Sequence, residues 1–231
     1  MRKNPNILFT GLTGNLGRKL IPYLIRKNYK IFTIYKYEKE LKLINKLYIK
    51  QINYIKCDLN IEKDSLKIIK ILEKKDIAID AIVNLVGGFI YKDLKNSKNE
   101  DFIKMMNINF FSILNISRLS MKILSNSKNK SIINILSPYA EAPVNGVSAY
   151  AASKAALMSL SKSMAIEYQE YDIRVNCIMS DTIDTEINRK EMPNENFSKW
   201  IKPVQIFNAI ELLTSEKSKF INGEIIRLKN E

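Results

Sequence analysis

The chain has 231 residues, of which 46% are hydrophobic, and this composition suits one α/β domain that spans residues 1–231. The sequence contains no histidine, which excludes histidine-based catalysis and histidine metal sites, and its 2 cysteines lack metal-ligand spacing. No apolar run approaches the roughly 20 residues of a membrane helix, and the first residues lack the apolar region of a signal peptide. We therefore expect a cytoplasmic protein with no bound metal and no membrane partner.

The formal net charge of +13 raises the question of nucleic-acid binding. The basic excess is nearly all lysine and is spread along the whole chain. No basic block alternates with aromatic residues to form a stacking groove. We interpret the charge as a lysine-rich solvated surface and expect no nucleic-acid partner, while a weak attraction to phosphorylated cofactors or acidic carrier proteins stays open.

Strand and helix patterns alternate along the chain. Apolar runs predict strands at residues 6–10, 30–35, 52–57, 80–85, 131–136, 174–178 and 224–228. Helices are predicted at about 15–28, 38–46, 63–75, 100–124 and 148–168, with a last helix that starts at residue 203. Continuous apolar strands separated by helices are typical of a parallel sheet covered on both faces. The expected fold is therefore a Rossmann-type, doubly wound α/β sheet of about seven strands.

A glycine-rich turn follows the first predicted strand and opens the first helix. From Thr10 to Gly17 it reads Thr-Gly-Leu-Thr-Gly-Asn-Leu-Gly. Glycines permit a tight turn and a close approach of the backbone to a pyrophosphate, and the helix N-terminus supplies free N–H groups. The turn predicts a dinucleotide site that includes Gly11, Thr13, Gly14, Asn15, Leu16 and Gly17.

The second predicted strand ends at Tyr35 and Lys36. An NAD site usually has an acidic residue here for the ribose 2′-hydroxyl, whereas a lysine can pair with a 2′-phosphate, so the sequence favours NADP(H) over NAD(H). Asp58, followed by Leu59 at the end of the third strand, is a candidate acceptor for the adenine amino group. A turn or capping role for Asp58 and a solvated role for Lys36 stay open.

Tyr150 and Lys154 are four residues apart in a predicted helix and therefore lie on one face of it. An ammonium beside a phenol stabilises the phenolate and lowers a pKa that is about 10 when unperturbed. Such a tyrosine can exchange a proton near neutral pH. Alone, the pair is also an ordinary amphipathic pattern. Beside a dinucleotide site, and with Ser137 thirteen residues upstream of the tyrosine, it predicts proton transfer coupled to hydride transfer.

In this order the motifs resemble those of the short-chain dehydrogenase/reductase family over essentially the whole chain. The matching residues are the Thr10 to Gly17 turn, Asp58, the segment Asn84-Leu-Val-Gly87, Asn109, Ser137, Tyr150, Lys154 and the segment Arg174-Val-Asn-Cys-Ile178. The resemblance implies NAD(P)H-dependent reduction of a carbonyl or a related C=N or quinonoid group of a small molecule. Such a family member is expected to form a homodimer or homotetramer through its two long helices.

The resemblance also assigns roles. Tyr150 would donate the proton, and Lys154 would lower the pKa of that tyrosine and bind the nicotinamide ribose. Ser137 would hold the substrate oxygen, and Asn109 would support a water chain through the lysine. Further cofactor contacts are implied at Asn84, Val86, Gly87, Ile183 and Thr185.

A narrower resemblance to the dihydropteridine-reductase-like branch rests on residues 184–203 and on the Gly87-Gly88-Phe89 run. It implies a substrate lid at about 182–203, which we expect to be irregular. Met192, Phe197 and Trp200 would contact the substrate or pin the lid to the body. Asp181 stands where the family usually has a Pro-Gly pair, and it could disfavour cofactor binding, touch a cationic substrate or face solvent.

Three other functions stay open at this point. Two are enzymatic: a dihydropteridine-type reductase, and a 3-oxoacyl-carrier ketoreductase helped by the basic surface. The third is a nucleotide-binding scaffold or redox sensor without catalytic activity. The intact Ser137, Tyr150 and Lys154 argue against a scaffold, which has no need of them.

Overall fold

The computed structural model describes residues 5–124, 127 and 129–230. In these ranges the strands are β1 (Asn6–Thr10), β2 (Lys30–Tyr35), β3 (Ile52–Lys56), β4 (Ala81–Asn84), β5 (Lys130–Leu136), β6 (Ile173–Ser180) and β7 (Ile225–Leu228). They form one parallel seven-stranded sheet in the order β3-β2-β1-β4-β5-β6-β7. The α-helices are α1 (Asn15–Arg26), α2 (Glu38–Leu41), α3 (Glu62–Lys74), α4 (Asn99–Met106), α5 (Ser112–Ile123), α6 (Ser148–Glu167), α7 (Glu186–Glu191) and α8 (Pro203–Leu213). The predicted Rossmann-type α/β fold is confirmed.

Helices cover both faces of the sheet. Ile7 and Phe9 of β1 pack in one apolar core with residues of α1 and α8. Leu8 points to the other face and packs with residues of α3, α5 and α6. All three side chains are fully buried, which is why β1 has the continuous apolar sequence of an interior parallel strand.

The strand order reverses between β1 and β4. In open α/β sheets, ligands bind in the crevice beyond the carboxyl ends of the strands at this switch point. The glycine turn follows β1, and Val86 and Gly87 follow β4. The fold therefore brings the predicted cofactor residues to one edge of the sheet.

The prediction that the second helix reaches residue 46 was wrong, because α2 ends at Leu41. Beyond that point the chain makes tight turns, in which the N–H groups of Leu43 and Ile44 donate to the carbonyls of Glu40 and Leu41. Ile44 is then buried beside the α1 core. The turns thus place Ile44 in the core, where a continued α2 was expected.

Two other elements differ from the sequence expectations. The long predicted helix is α4 followed by α5, with a π-helical turn, Asn107–Phe111, between them. The segment expected to be irregular contains α7 and a parallel bridge between Ile183 and Ile201. Turns of the π type are rare, occur mostly as single turns inside α-helices and are often found at functional sites.

Candidate active site

The glycine turn is closely packed against the end of β4. Gly11 has a φ of +70°, and a Cβ on it would lie 2.6 Å from the backbone nitrogen of Val86. A Cβ on Gly17 would lie 2.4 Å from Cα of Leu12. Gly14 precedes α1 without any side chain to cap the first-turn N–H groups. This backbone cradle, with free donors at the positive end of a helix, fits the pyrophosphate of a dinucleotide.

Thr13, within the turn, is joined to α2. Its hydroxyl donates to Glu40 Oε2 at 2.8 Å, while Glu40 Oε1 accepts from the backbone N–H of Tyr37 at 2.9 Å and of Lys36 at 3.3 Å. Asn15 is exposed and Leu16 is partly buried against the α1 core. Glu40 therefore places a carboxylate between the glycine turn and the end of β2.

Lys36 and Asp58 form an ion pair of 2.7 Å. The hydrogen bond to Asp58 raises the pKa of Lys36. Tyr35 donates to Glu38 at 3.2 Å, and its ring contacts Tyr54 edge-on. The two residues that the sequence predicts to bind the 2′-phosphate and the adenine thus bind each other.

Asn84 lies inside the sheet rather than in the crevice. Its side chain accepts from Thr10 Oγ1 at 3.2 Å and donates to Asn134 Oδ1 at 2.8 Å, and it is 1% exposed. Asn134 in turn donates to Ser161 of α6. Asn84 therefore fixes the ends of β1, β4 and β5 relative to one another, and the expected direct cofactor contact of its side chain does not fit this burial.

The backbone beside Asn84 is held by the same network. Thr10 Oγ1 accepts from the N–H of Val86 at 3.4 Å. At the end of β3 the carbonyl of Leu59 accepts from Asn115 of α5 at 2.8 Å. These two contacts fix the backbone after β4 and after β3.

Tyr150, Lys154 and Ser137 meet at the end of β5. Lys154 is buried, lies with Nζ 6.0 Å from the centroid of the Tyr150 ring, and donates to the carbonyl of Ile135 at 2.9 Å. Burial lowers the pKa of Lys154 to about 8. Burial also raises the pKa of Tyr150, while the Ser137 hydroxyl lowers it by a smaller amount. Desolvation of the phenol has the largest effect, so the pKa of Tyr150 lies above its usual value.

Asn109, in the π-helical turn, is fully buried. Its Oδ1 accepts from the N–H of Gly88 at 2.9 Å, and its Nδ2 donates to the carbonyl of Gly88 and to Ser153 Oγ, both at 3.0 Å. Ser153 donates to the carbonyl of Tyr150 at 2.7 Å. The amide of Asn109 thus connects the loop after β4 to the helix turn that carries Tyr150.

Gly87 occupies the space between these groups. A Cβ on it would lie 3.0 Å from Asn109 Oδ1 and 3.6 Å from Lys154 Nζ. A side chain at this position would therefore press on the residues that flank Tyr150.

The segment between β6 and α8 is held closed at its base. The N–H of Ile201 donates to the carbonyl of Thr182, and the N–H of Asp184 donates to the carbonyl of Ile201. Asp184 accepts two bonds from Arg189, at 2.5 and 2.8 Å, and one from Lys202 at 2.9 Å. The bond from Arg189 is the main reason that the pKa of Asp184 falls to about 2. The ends of the segment are therefore joined by both backbone and charge.

The residues of this segment that the sequence predicts to contact cofactor or substrate differ in their burial. Thr185 is buried and caps α7 by accepting from the N–H of Asn188. Trp200 is buried and contacts Phe197 with ring centroids 4.8 Å apart. Met192 is about one-third exposed and Phe197 is partly exposed, so Trp200 is the one of the three predicted apolar contacts that is buried.

Asp181 binds the residues at and after the end of β7. Its carboxylate accepts from the N–H of Asn230 at 2.9 Å, and its own N–H donates to the carbonyl of Leu228. This assignment differs from the cofactor, substrate and solvent roles that the sequence left open.

Sequence reasoning missed Glu40, Phe89 and Tyr139. The rings of Phe89 and Tyr139 contact the ring of Tyr150 edge-on, with centroids 4.9 and 6.4 Å away. In the sequence, the available signal is that Phe89 directly follows Gly87-Gly88 after the fourth predicted strand. Its contact with Tyr150 depends on the fold.

The glycine cradle at the switch point and the grouped Ser137, Tyr150 and Lys154 fit a dinucleotide-dependent oxidoreductase site. A family model described as short chain dehydrogenase matches residues 5–196, and the chain belongs to the short-chain dehydrogenase/reductase family. It is thus an NAD(P)-dependent enzyme of a family that acts on small molecules.

Three similar proteins illustrate the relationship. The 3-oxoacyl-[acyl-carrier-protein] reductase of Thermotoga maritima is 28% identical over 176 residues, which cover 71% of this chain and 71% of the relative. The structure of ElxO with NADP bound has a TM-score of 0.87 at 23% identity. The match covers 98% of this chain and 97% of the ElxO chain. An NADPH-bound short chain oxidoreductase from Pseudomonas aeruginosa, described as having an atypical catalytic center, has a TM-score of 0.86 at 18% identity, with coverages of 97% and 95%. At these identities the two structures show the fold.

The narrower dihydropteridine-reductase-like resemblance receives no support from these comparisons. Among the described residues, no helix has the length and apolar character needed to cross a membrane. In the same ranges, no group of three or more potential ligand side chains is arranged to hold a metal ion.

Proposed function

We propose that the protein reduces a carbonyl group with NAD(P)H and that Tyr150 donates the proton. The observation that supports this most directly is the grouping of Tyr150 with the Ser137 hydroxyl and the buried Lys154 ammonium, beside the glycine cradle. A scaffold would not need three such groups at one sheet edge.

The residues divide the chemistry among them. The nicotinamide, when bound, supplies the hydride to the carbonyl carbon. Ser137 donates a hydrogen bond to the carbonyl oxygen and orients it toward the Tyr150 hydroxyl. Because the pKa of Tyr150 is raised by burial, the phenol holds its proton at neutral pH until negative charge develops on that oxygen. The resulting phenolate is then stabilised by the ammonium of Lys154.

For the cofactor, we propose that NADPH is preferred to NADH. Lys36 supplies a cation at the end of β2, where a 2′-phosphate would lie. Asp58 competes for that cation, and Glu40 adds a second carboxylate nearby. We therefore expect the preference to be modest.

The segment 182–203 is proposed to act as the substrate lid. Its base is closed by the Ile183–Ile201 bridge and the Asp184 ion pairs. Outside the base, the ion pair between Lys19 of α1 and Glu186 of α7 is 44% and 76% exposed. An exposed pair of this kind is weak, so this contact between α7 and α1 can open at little cost.

We also propose a homodimer or homotetramer. Large apolar side chains are exposed on the long helices, among them Ile103, Phe111, Met121 and Ile166. Where such side chains form one continuous patch, the patch is typical of an interaction site. Sedimentation at several protein concentrations tests this: a monomer at every concentration would contradict it.

The assignment of Tyr150 is tested with Tyr150→Phe. We expect NADPH oxidation with a carbonyl panel to fall by at least about 100-fold, while the NADPH dissociation constant changes less than about threefold, because the ring and its packing remain. The matched control is Tyr171→Phe, which removes a hydroxyl from a tyrosine outside the site. Full turnover by Tyr150→Phe would remove Tyr150 from the role of acid.

A second candidate is a 3-oxoacyl-carrier ketoreductase. The Thermotoga maritima relative carries that name, and the net charge of +13 suits an acidic carrier protein. Turnover of a 3-oxoacyl thioester that exceeds turnover of all free ketones would favour this candidate.

A further inference from the structure

Two aromatic rings flank the ring of the proposed proton donor. Phe89 and Tyr150 meet at 77° with centroids 4.9 Å apart, and Tyr139 and Tyr150 meet at 78° with centroids 6.4 Å apart. Phe89 comes from the loop after β4 and Tyr139 from the loop after β5. Phe89 is nevertheless 51% exposed, so an aromatic face is left accessible beside Tyr150.

The two loops that carry these rings are tied together. The N–H of Lys92 donates to the carbonyl of Gly146 at 2.7 Å, and Asn145 donates to Asp93 at 3.1 Å. The ring of Tyr91 lies directly over Gly146, within 2.6 Å of the position a Cβ would take. The two loops therefore form one wall of the substrate site that is ordered without a substrate. Binding then requires little further ordering of these loops, which reduces its entropic cost.

Charged side chains of these loops have partners of their own. Lys92 pairs with Asp101 at 2.7 Å, and Glu141 pairs with Arg227 at 2.6 Å. Asp93 accepts the bond from Asn145. Phe89 and Tyr139 thus contact the Tyr150 ring, while Lys92, Asp93 and Glu141 each bind a different residue.

We propose that Phe89 and Tyr139 form a subsite for a flat aromatic ring attached to the reacting carbonyl carbon, so that aryl ketones and aryl aldehydes are the preferred substrate class. This inference rests on the proposed function and narrows it. A flat ring can stack on or meet the edge of Phe89, whereas a saturated ring of the same size cannot use the aromatic quadrupole. The reaction is a two-electron reduction: the carbonyl carbon receives the hydride of NAD(P)H, and its oxygen receives the proton of Tyr150.

The test compares acetophenone with cyclohexyl methyl ketone, which have the same carbonyl and rings of the same carbon number. We expect the wild-type kcat/KM to be about tenfold higher for acetophenone, the size of effect that one or two aromatic contacts produce. Acetoacetyl-coenzyme A serves as the linear 3-oxoacyl probe and should be used less well than acetophenone.

Variants at Phe89 show whether the preference comes from this subsite. Phe89→Leu should bring the ratio of the two ketones close to one, mainly by lowering kcat/KM for acetophenone, and Phe89→Trp should keep it. Phe220→Ala, which removes an 89% exposed phenylalanine, is the control and should keep the ratio. A wild-type ratio near one, or the same ratio in Phe89→Leu and wild type, would overturn the subsite while leaving the reductase assignment intact. Failure to reduce any carbonyl would overturn the proposed function and the subsite with it.

Discussion

Lys36 and Asp58 connect the carboxyl ends of β2 and β3 through an ion pair of 2.7 Å. The side chain of Lys36 is 38% exposed and that of Asp58 18%. A pair that is partly open to solvent contributes at most about 1 kcal/mol. A 2′-phosphate with its two negative charges can therefore replace Asp58 as the partner of Lys36.

Lys36→Ala is expected to lower the ratio of kcat/KM for NADPH to that for NADH. Because a lysine–phosphate contact at a solvent-accessible site is comparable to an exposed ion pair, the expected change is roughly fivefold. Steady-state rates with both cofactors measure it, and Lys39→Ala is a control for loss of one nearby positive charge. An unchanged ratio in Lys36→Ala would show that this lysine does not read the 2′-phosphate.

Glu40→Gln should change the same ratio in the opposite direction. The variant removes a negative charge near the end of β2 but keeps an oxygen that can accept from the N–H of Tyr37, so α2 should persist. We expect the NADPH dissociation constant to fall by roughly threefold, with little change for NADH. If the dissociation constants of NADPH and NADH instead rose by the same factor, Glu40 would act only by holding Thr13 in the glycine turn.

The features predicted correctly are those encoded over short stretches of chain. The glycine turn needs only β1, its glycines and the start of α1, and Tyr150 and Lys154 lie one helical turn apart. The apolar strands identify the sheet because both of its faces are covered.

Contacts between segments that are far apart in the sequence could not be predicted from local patterns. Thr13 and Glu40 are separated by 27 positions, and neither carries a local signal for the other. Phe89 and Tyr139 reach Tyr150 only because parallel strands β4 and β5 end at the same sheet edge. The pKa of Tyr150 likewise depends on burial. The four-residue spacing of Tyr150 and Lys154 contains no information about burial.

The pH dependence of turnover should report Lys154. Burial lowers its pKa to about 8, so the ammonium is present below that pH and is lost above it. With NADPH as the varied substrate and the ketone saturating, kcat/KM reflects groups of the cofactor-free protein. We expect it to decrease as the pH rises through about 8.

Lys154→Met checks this assignment. It should lower kcat/KM at pH 7 by at least about 100-fold and remove the decrease in kcat/KM that is expected near pH 8. Lys36→Ala, which alters a different lysine, should retain the decrease at the same midpoint. Persistence of the decrease in Lys154→Met would assign it to another group.

Gly146→Ala should destabilise the wall of the substrate site. Gly146 has a φ of +79°, and the added Cβ would lie 2.6 Å from the Tyr91 ring. Gly223 provides a matched control, since its φ is +80° but its nearest neighbour, Cβ of Ala165, would be 3.5 Å away. Gly223→Ala should cost about 1 kcal/mol of unfolding free energy through backbone strain alone.

The ring contact should add to that cost in Gly146→Ala. Because Tyr91 is 67% exposed, its ring can move aside, so we expect a total of about 2 kcal/mol. In the Tyr91→Ala background the cost of Gly146→Ala should return to that of Gly223→Ala. Denaturant unfolding of the four variants measures these differences, and an equal cost in both backgrounds would show that the ring contact is without energetic effect.

Asp184→Asn should loosen the base of the proposed lid at neutral pH. The Asp184 side chain is 11% exposed and is held by Arg189 and Lys202, and its pKa is lowered to about 2 by these partners, against about 3.9 for an unperturbed aspartate. A lowered carboxyl pKa contributes stability that is present above about pH 4 and lost as the pH falls through about 2. Since Arg189 is half exposed, we expect a loss of about 1–2 kcal/mol in the variant at pH 7.

Trp200 reports on this change because it is the chain's single tryptophan and is buried at the lid base. Asp184→Asn should shift its emission to longer wavelength at pH 7, and wild type should approach the variant only as the pH falls toward 2. Glu186→Gln, which removes the exposed ion pair to Lys19, should leave the emission unchanged. If Asp184→Asn and wild type have the same emission and the same unfolding midpoint at pH 7, the ion pairs of Asp184 do not hold the base, and the Ile183–Ile201 bridge closes it alone.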